Sequence, residues 1–222
     1  MAELRLVIFD CDGTLVDSAT HIVEAMGTAF AASGLAPPHA DDVKSVIGLS
    51  LHDAIRRLSR EAPSVVDSLV AAYKAQYRNA TAARIATEPM FEGVAETLTR
   101  LNDGATLLAV ATGKSRAGLT RILNAHDLGH HFAATMTADD APSKPAPEMV
   151  LRLLSQIGAD ASRSVVIGDS TFDVEMARRA GAFAIGVTWG YHSPARLKRA
   201  GAHQMASTMT ELPSLVDQLV AP

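Results

Sequence analysis

The chain has 222 residues, 48% of them hydrophobic and 20% charged, with a formal net charge of −4. That length suits one large domain or two unequal ones, and the acidic balance, with Arg56-Arg57 and Lys198-Arg199 as isolated basic pairs, argues against the clustered cations that nucleic-acid binding needs. The single cysteine, Cys11, excludes an internal disulfide, and no run approaches the ~18 consecutive apolar residues of a membrane span. A soluble, cytoplasmic protein is the expectation, as monomer or homodimer.

In chain order, residues 4–9 predict a short strand closed by the acidic turn Asp10-Cys11-Asp12-Gly13-Thr14. An unbroken apolar run suits a strand buried on both faces, as in a parallel sheet. From about Asp17 to about Ile85 the pattern turns helical. Ile22, Met26, Ala29 and Phe30 share one stripe; Leu51, Ala54, Ile55 and Leu58 share a second. Val66, Leu69, Val70, Tyr73 and Tyr77 form a third, and Gly34, Pro37-Pro38, Gly48 and Pro63 break the segments. Strands recur at 107–111, 164–167 and 183–187, separated by the helical faces Leu119/Ile122/Leu123 and Val150/Leu153/Leu154/Ile157. Alternation of this kind predicts an α/β fold, a parallel sheet with helices on both faces. A small helical domain is inserted after the first strand, giving a core of residues 1–16 and 86–222 and an insert of 17–85.

In open parallel sheets, ligands bind beyond the carboxyl ends of the strands. Polar clusters are expected at such ends: Asp10/Asp12, Thr112-Gly113, Lys144, and Asp169/Asp173. A carboxylate such as Asp10 can attack phosphorus and form an acyl phosphate, while Asp12 can protonate a leaving oxygen and later accept a proton from water. Gly13 lets backbone N–H groups approach an anion. An Asx turn with an N-cap explains the same residues without chemistry. Thr112-Gly113 offers a hydroxyl and helix-start N–H groups to a phosphoryl oxygen, or is a plain strand-to-helix turn. A P-loop is excluded, since position 108 is Leu where that motif needs Gly. Lys144, stiffened by Pro145 and Pro147, can neutralise phosphate; the bland alternative is a surface lysine. Asp169 and Asp173, converging with Asp10, imply a hard cation such as Mg²⁺, although Asp173 also suits a helix cap. Cys11 reads as a small core hydrophobe, and the eight histidines show no zinc-ligand spacing.

Together, Asp10-Cys11-Asp12-Gly13-Thr14-Leu15-Val16-Asp17-Ser18, Thr112-Gly113, Lys144-Pro145 and Gly168-Asp169-Ser170-x-x-Asp173 resemble the haloacid-dehalogenase-like hydrolases. The likeness covers essentially the whole chain and is nearest the branch with a helical cap, which includes the phosphoglycolate phosphatases; Trp189-Gly190-Tyr191-His192 and Gly201-Ala202 also resemble that subgroup. It implies a Rossmann-like core, a helical cap domain and one Mg²⁺ held by Asp10, Asp169 and the backbone carbonyl of Asp12. Asp10 would be the nucleophile and Asp12 the acid/base. Thr112 and Lys144 would hold the phosphoryl group, and Asp173 would support metal waters or Lys144.

Within that resemblance the cap loop containing Gly48, Leu49 and Ser50 would reach the substrate. Mutases of this branch tend to carry Arg where Leu51 stands, and phosphonate hydrolases and dehalogenases lack the second Asp. A simple phosphatase for a small phosphorylated metabolite is the expectation, with phosphoglycolate favoured because the cap loop carries few charges. A nucleoside monophosphate, a sugar phosphate or pyrophosphate are the alternative substrates, and a phosphomutase or a phospho-accepting receiver the alternative functions. Arg56 and Lys114 could help bind a substrate carboxylate, with surface placement the favoured reading for each.

Overall fold

The computed structural model describes residues 4–84 and 88–220, with side chains described for all of these except 77–84. Tyr77, expected on the third helical stripe, and Ile85, at the expected end of the insert, therefore lie outside the described side chains and residues respectively.

Six strands form one sheet: β1 (Arg5–Phe9), β2 (Thr106–Ala111), β3 (Phe132–Met136), β4 (Ser164–Gly168), β5 (Phe183–Val187) and β6 (Gln204–Ala206). All neighbours are parallel, in the order β3-β2-β1-β4-β5-β6. The apolar runs are continuous because both faces are covered. Val7, Phe9, Leu108, Val110, Val165 and Ile167 face one side, where they meet α5 (Val94–Leu101), α6 (Arg116–Ala125) and α10 (Leu212–Leu219). Leu6, Ile8, Ala109, Val166 and Ala184 face the other, against α7 (Glu148–Ile157), α8 (Thr171–Arg179) and α9 (Pro194–Ala200). Each fully buried aliphatic side chain contributes roughly 1.5–3 kcal/mol by leaving water.

The sheet order reverses between β1 and β4, and that reversal places the site. In the register, Phe9 is level with both Val110 and Ile167. The residues that follow, Asp10, Ala111 and Gly168, therefore end their strands side by side, and a crevice opens at this switch point.

Among the described residues between β1 and α5 the chain forms four helices: α1 (Ala19–Ala32), α2 (Ala40–Lys44), α3 (Leu51–Ser59) and α4 (Pro63–Arg84). Met26, Ala29 and Phe30 pack with Val43, Ile55, Val66, Leu69 and Tyr73 into an interior of their own. Gly34, at φ +74°, follows α1 where only a residue tolerant of left-handed backbone is unstrained, and Pro63 opens α4.

This helical insert is seated on the crevice. Phe172 at the start of α8 packs among Val46, Leu49 and Ala54 of the insert. Ser50 donates its N–H to Ser143 Oγ at 2.7 Å. His192 accepts the Thr171 N–H on Nδ1 (3.0 Å), so its proton sits on Nε2 and is donated to Ser45 O (3.1 Å). At Gly113 any Cβ would overlap the backbone carbonyls of Gly48 and Leu49, so glycine allows the two loops to touch.

Candidate active site

Asp10 follows β1 and is held to the neighbouring strand through its N–H to Ile167 O, 2.9 Å. Asp169 follows β4, and Asp173 lies in the first turn of α8. Oxygens of these three buried carboxylates come within 4.8 Å of one another. Lys144, from the loop after β3, inserts a fully buried ammonium among them, with Nζ 2.7 Å from Asp10 Oδ1 and 2.6 Å from Asp173 Oδ1. The lysine is thus no surface residue, and the strand that delivers it, β3, was not expected.

The two readings of Asp173 coexist on its two oxygens. Oδ2 accepts the Ser170 N–H (3.1 Å) and the Ser170 hydroxyl (2.6 Å), while Ser170 Oγ accepts the Asp173 N–H, a capping box. Oδ1 is left for Lys144. Asp169 accepts the Tyr191 N–H (2.8 Å) on Oδ2 and the Thr14 hydroxyl (3.4 Å) on Oδ1. Gly13, at φ +81°, lies so close to Asp169 that a Cβ would overlap its carboxylate.

The electrostatics are unbalanced. Burial, reinforced by Asp173 and Asp12 and opposed by Lys144, pushes the Asp10 carboxyl up to about 7. Burial also raises Asp169 well above the usual carboxylate range, with Asp173 and Asp10 adding to it. For Lys144, burial acts to lower the ammonium, but Asp10 and Asp173 outweigh it and hold it above its ordinary value. Three carboxylates face one ammonium, and Asp10 Oδ2 is buried without a hydrogen-bond partner. This set of hard oxygen donors fits a divalent cation.

Asp12 stands apart from that cluster. Its Oδ1 is paired with Lys114 Nζ at 2.8 Å and accepts the Ser18 hydroxyl. The expectation that Lys114 lies at the surface is therefore corrected: its side chain is only 8% exposed, because the turn carrying it faces the insert. Arg56 is exposed and pairs locally with Asp53, as expected. Thr112 is buried, its hydroxyl accepting the Lys114 N–H at 3.2 Å in a local turn. Ser115, not Thr112, caps α6.

A cavity of about 590 Å³ separates insert from core. Asp12, Gly113 and Lys114 line it from the core, and Gly48 and Ser50 from the insert. Asp10, Thr112, Lys144, Asp169 and Asp173 are not among its lining residues. The Ser50 hydroxyl is engaged as the cap of α3, accepting the Asp53 N–H and donating to its carboxylate.

Sequence reasoning missed several residues here. Glu88, buried, pairs with His21 (3.3 Å), Arg121 (3.5 Å) and Lys114 (4.0 Å) behind Asp12. Tyr191 closes the far side: its hydroxyl accepts the Ser18 and Ala19 N–H groups, each at 3.0 Å, and donates to Asp17. The stretch 189–192 resembles the family, but nothing in its spacing reveals that contact. Cys11 is buried in the sheet core, where burial pushes its thiol up.

The model of the haloacid dehalogenase-like hydrolases matches residues 7–187. The chain belongs to that family. Among similar proteins, the probable phosphatase IndB of Dickeya dadantii is 39% identical over 93% of this chain and 91% of its own. A phosphoglycolate phosphatase of Agrobacterium fabrum is 35% identical over 84% of this chain and 81% of its own. A crystal structure of a predicted phosphatase from Clostridium acetobutylicum superimposes with a TM-score of 0.87 at 23% identity, covering 98% of this chain and all of that one, a likeness of fold. A parallel sheet flanked by helices is the fold class expected from the sequence, here with six strands. Among the described residues no helix is long and apolar enough to cross a membrane.

Proposed function

We propose that this hydrolase is a Mg²⁺-dependent phosphatase that forms an aspartyl phosphate on Asp10 and acts on a small phosphorylated metabolite. The observation that carries the reading is Asp10 itself: a buried carboxylate at the switch point, one oxygen beside Lys144 and the other without a hydrogen-bond partner. Family membership and the phosphatase names of the relatives support it.

In the first step an Asp10 oxygen attacks phosphorus. The bond to the ester oxygen breaks, its electron pair stays on that oxygen, and Asp12 supplies the proton. In the second, water attacks the acyl phosphate and gives its proton to Asp12; the phosphorus–oxygen bond to Asp10 breaks, releasing phosphate and restoring the carboxylate. Lys144 and Thr112 hold the phosphoryl oxygens, and Lys144 is oriented by Asp173. Gly13 and Gly113, lacking side chains, let the same anion approach the backbone. Asp10, Asp169 and the Asp12 carbonyl would hold Mg²⁺, which supplies charge neutralisation for the transferring group. The helical insert, residues 17–85, acts as a cap over the core of 1–16 and 86–222, and its loop at Gly48–Ser50 shields the acyl phosphate from bulk water. A cytoplasmic setting suits the lone buried cysteine.

The test is phosphate release from phosphoglycolate, sugar phosphates, nucleoside monophosphates and pyrophosphate, with Mg²⁺ or EDTA. Metal-dependent release by the native chain and none by Asp10→Asn is the expected result. No release from any ester by correctly folded protein sinks the proposal.

A further inference from the structure

Where the leaving group lies follows from which acid lines the cavity. Of the site's four carboxylates, Asp12 alone reaches the wall of the 590 Å³ chamber. Asp12 is also the acid that protonates the leaving oxygen, so the chamber is the space into which the leaving group extends; this step rests on the phosphatase reading above. Its volume falls in the ~300–1,000 Å³ range of pockets that bury drug-sized molecules, far more room than a two-carbon acid fills.

The walls are of two kinds. The roof, from the insert, is mostly apolar, with Ile22 and Met26 of α1 and Val70 and Tyr73 of α4, while Ser50, His52 and Lys74 also line it. The floor, from the core, is polar: Lys114 and Ser115 at the turn into α6, beyond Asp12. An aromatic and a thioether side chain offer a flat ring a favourable face, and the floor offers hydrogen bonds to a polar ring edge. A wholly hydroxylated sugar would leave the hydroxyls that face Ile22, Met26 and Val70 unpaired. Phosphoglycolate would leave the roof uncovered.

We infer that the preferred substrates are phosphomonoesters of alcohols bearing an aromatic or heteroaromatic ring, and that Tyr73 and its neighbours on the roof set this preference by contact with the ring. The anionic phosphoryl group sits at Lys144 and the ring lies under α1 and α4. Substrate choice is thereby made by the insert.

The experiment compares kcat/KM for phosphoglycolate, glucose 6-phosphate, 4-nitrophenyl phosphate and nucleoside 5′-monophosphates, in the native chain and two variants. Tyr73→Ala removes the roof's ring. Ala117→Trp adds bulk from an exposed position of α6 that also lines the chamber, so it fills space without touching a core. Ring-bearing esters should exceed phosphoglycolate by about 10–100-fold, the scale on which apolar pockets discriminate. Each variant should cut that ratio by about tenfold or more. Phosphoglycolate as the best substrate, equal rates for all esters, or a ratio that both folded variants leave intact overturns this inference while the phosphatase reading stands. Absence of turnover with every ester overturns both.

Discussion

Lys144 Nζ lies 2.6 Å from Asp173 Oδ1, while the other oxygen of that carboxylate closes the capping box at the start of α8. One aspartate therefore fixes a helix and a lysine at once. Asp173→Asn keeps the shape and a capping acceptor but removes the charge that orients the ammonium. It should lower kcat by ~10²–10³-fold, the cost of losing a positioned electrostatic partner, while the melting temperature falls by only a few degrees. Steady-state kinetics beside thermal melts would show the split. Lys144→Met, by contrast, leaves buried carboxylates without their counter-charge and should cost about 3–5 kcal/mol in chemical denaturation.

Metal and pH should trade against each other through Asp10. Its carboxyl is raised from 3.8 to about 7 chiefly by burial. Below about pH 4 it is neutral folded or unfolded. As pH rises from there to about 7 the unfolded chain loses this proton first, so in EDTA the group costs stability progressively across that window. Asp10→Asn should remove this loss, so its melting temperature should overtake that of the native chain between pH 5 and 8 in EDTA. Mg²⁺ at a hundredfold excess over its Kd should stabilise the native chain by about 2.7 kcal/mol and the variant far less. Parallel melting curves at every pH would refute the assignment.

Gly113 sets how closely the insert can sit. Gly113→Ala would place a methyl group against the Gly48 and Leu49 carbonyls, and the insert must lift to admit it. A loss of at least tenfold in kcat/KM is expected, since small misplacements of a closing element cost heavily. Unfolding free energy of the sheet should change little, which circular dichroism melts can verify.

Two leucines on α7 separate core from surface. Leu153 is fully buried against the sheet and Leu151 is the exposed large apolar residue of the described chain, at 45%. Leu153→Ala should cost about 2–5 kcal/mol, and Leu151→Ala within about ±0.5 kcal/mol. Urea titrations of both variants decide it.

The legible part of the fold was its centre. Strands such as 164–167 announce themselves because both faces are apolar, and the motif residues could be placed because each terminates one of these runs. The edge strands were silent for a physical reason: in β3 only Ala134 is buried, and β6 has three residues. Without β3 the sequence offers no account of how Lys144 reaches Asp10. The helix α2 was hidden by being five residues long. Lys114 and Tyr191 were illegible for another reason. Their partners, Asp12 and the start of α1, are brought to them only by the tertiary fold, across separations of 102 positions for Lys114–Asp12 and 173 for Tyr191–Ser18. No local pattern encodes that.

The insert keeps an interior of its own, distinct from the two apolar layers that clamp the sheet. Mutations within that interior are therefore absorbed largely in a small satellite of packing, joined to Asp12 through Ser18 at the start of α1. A gene with this layout can drift in what it recognises while its reaction is inherited intact. Among its descendants, diversity should accumulate above the crevice and stasis below it.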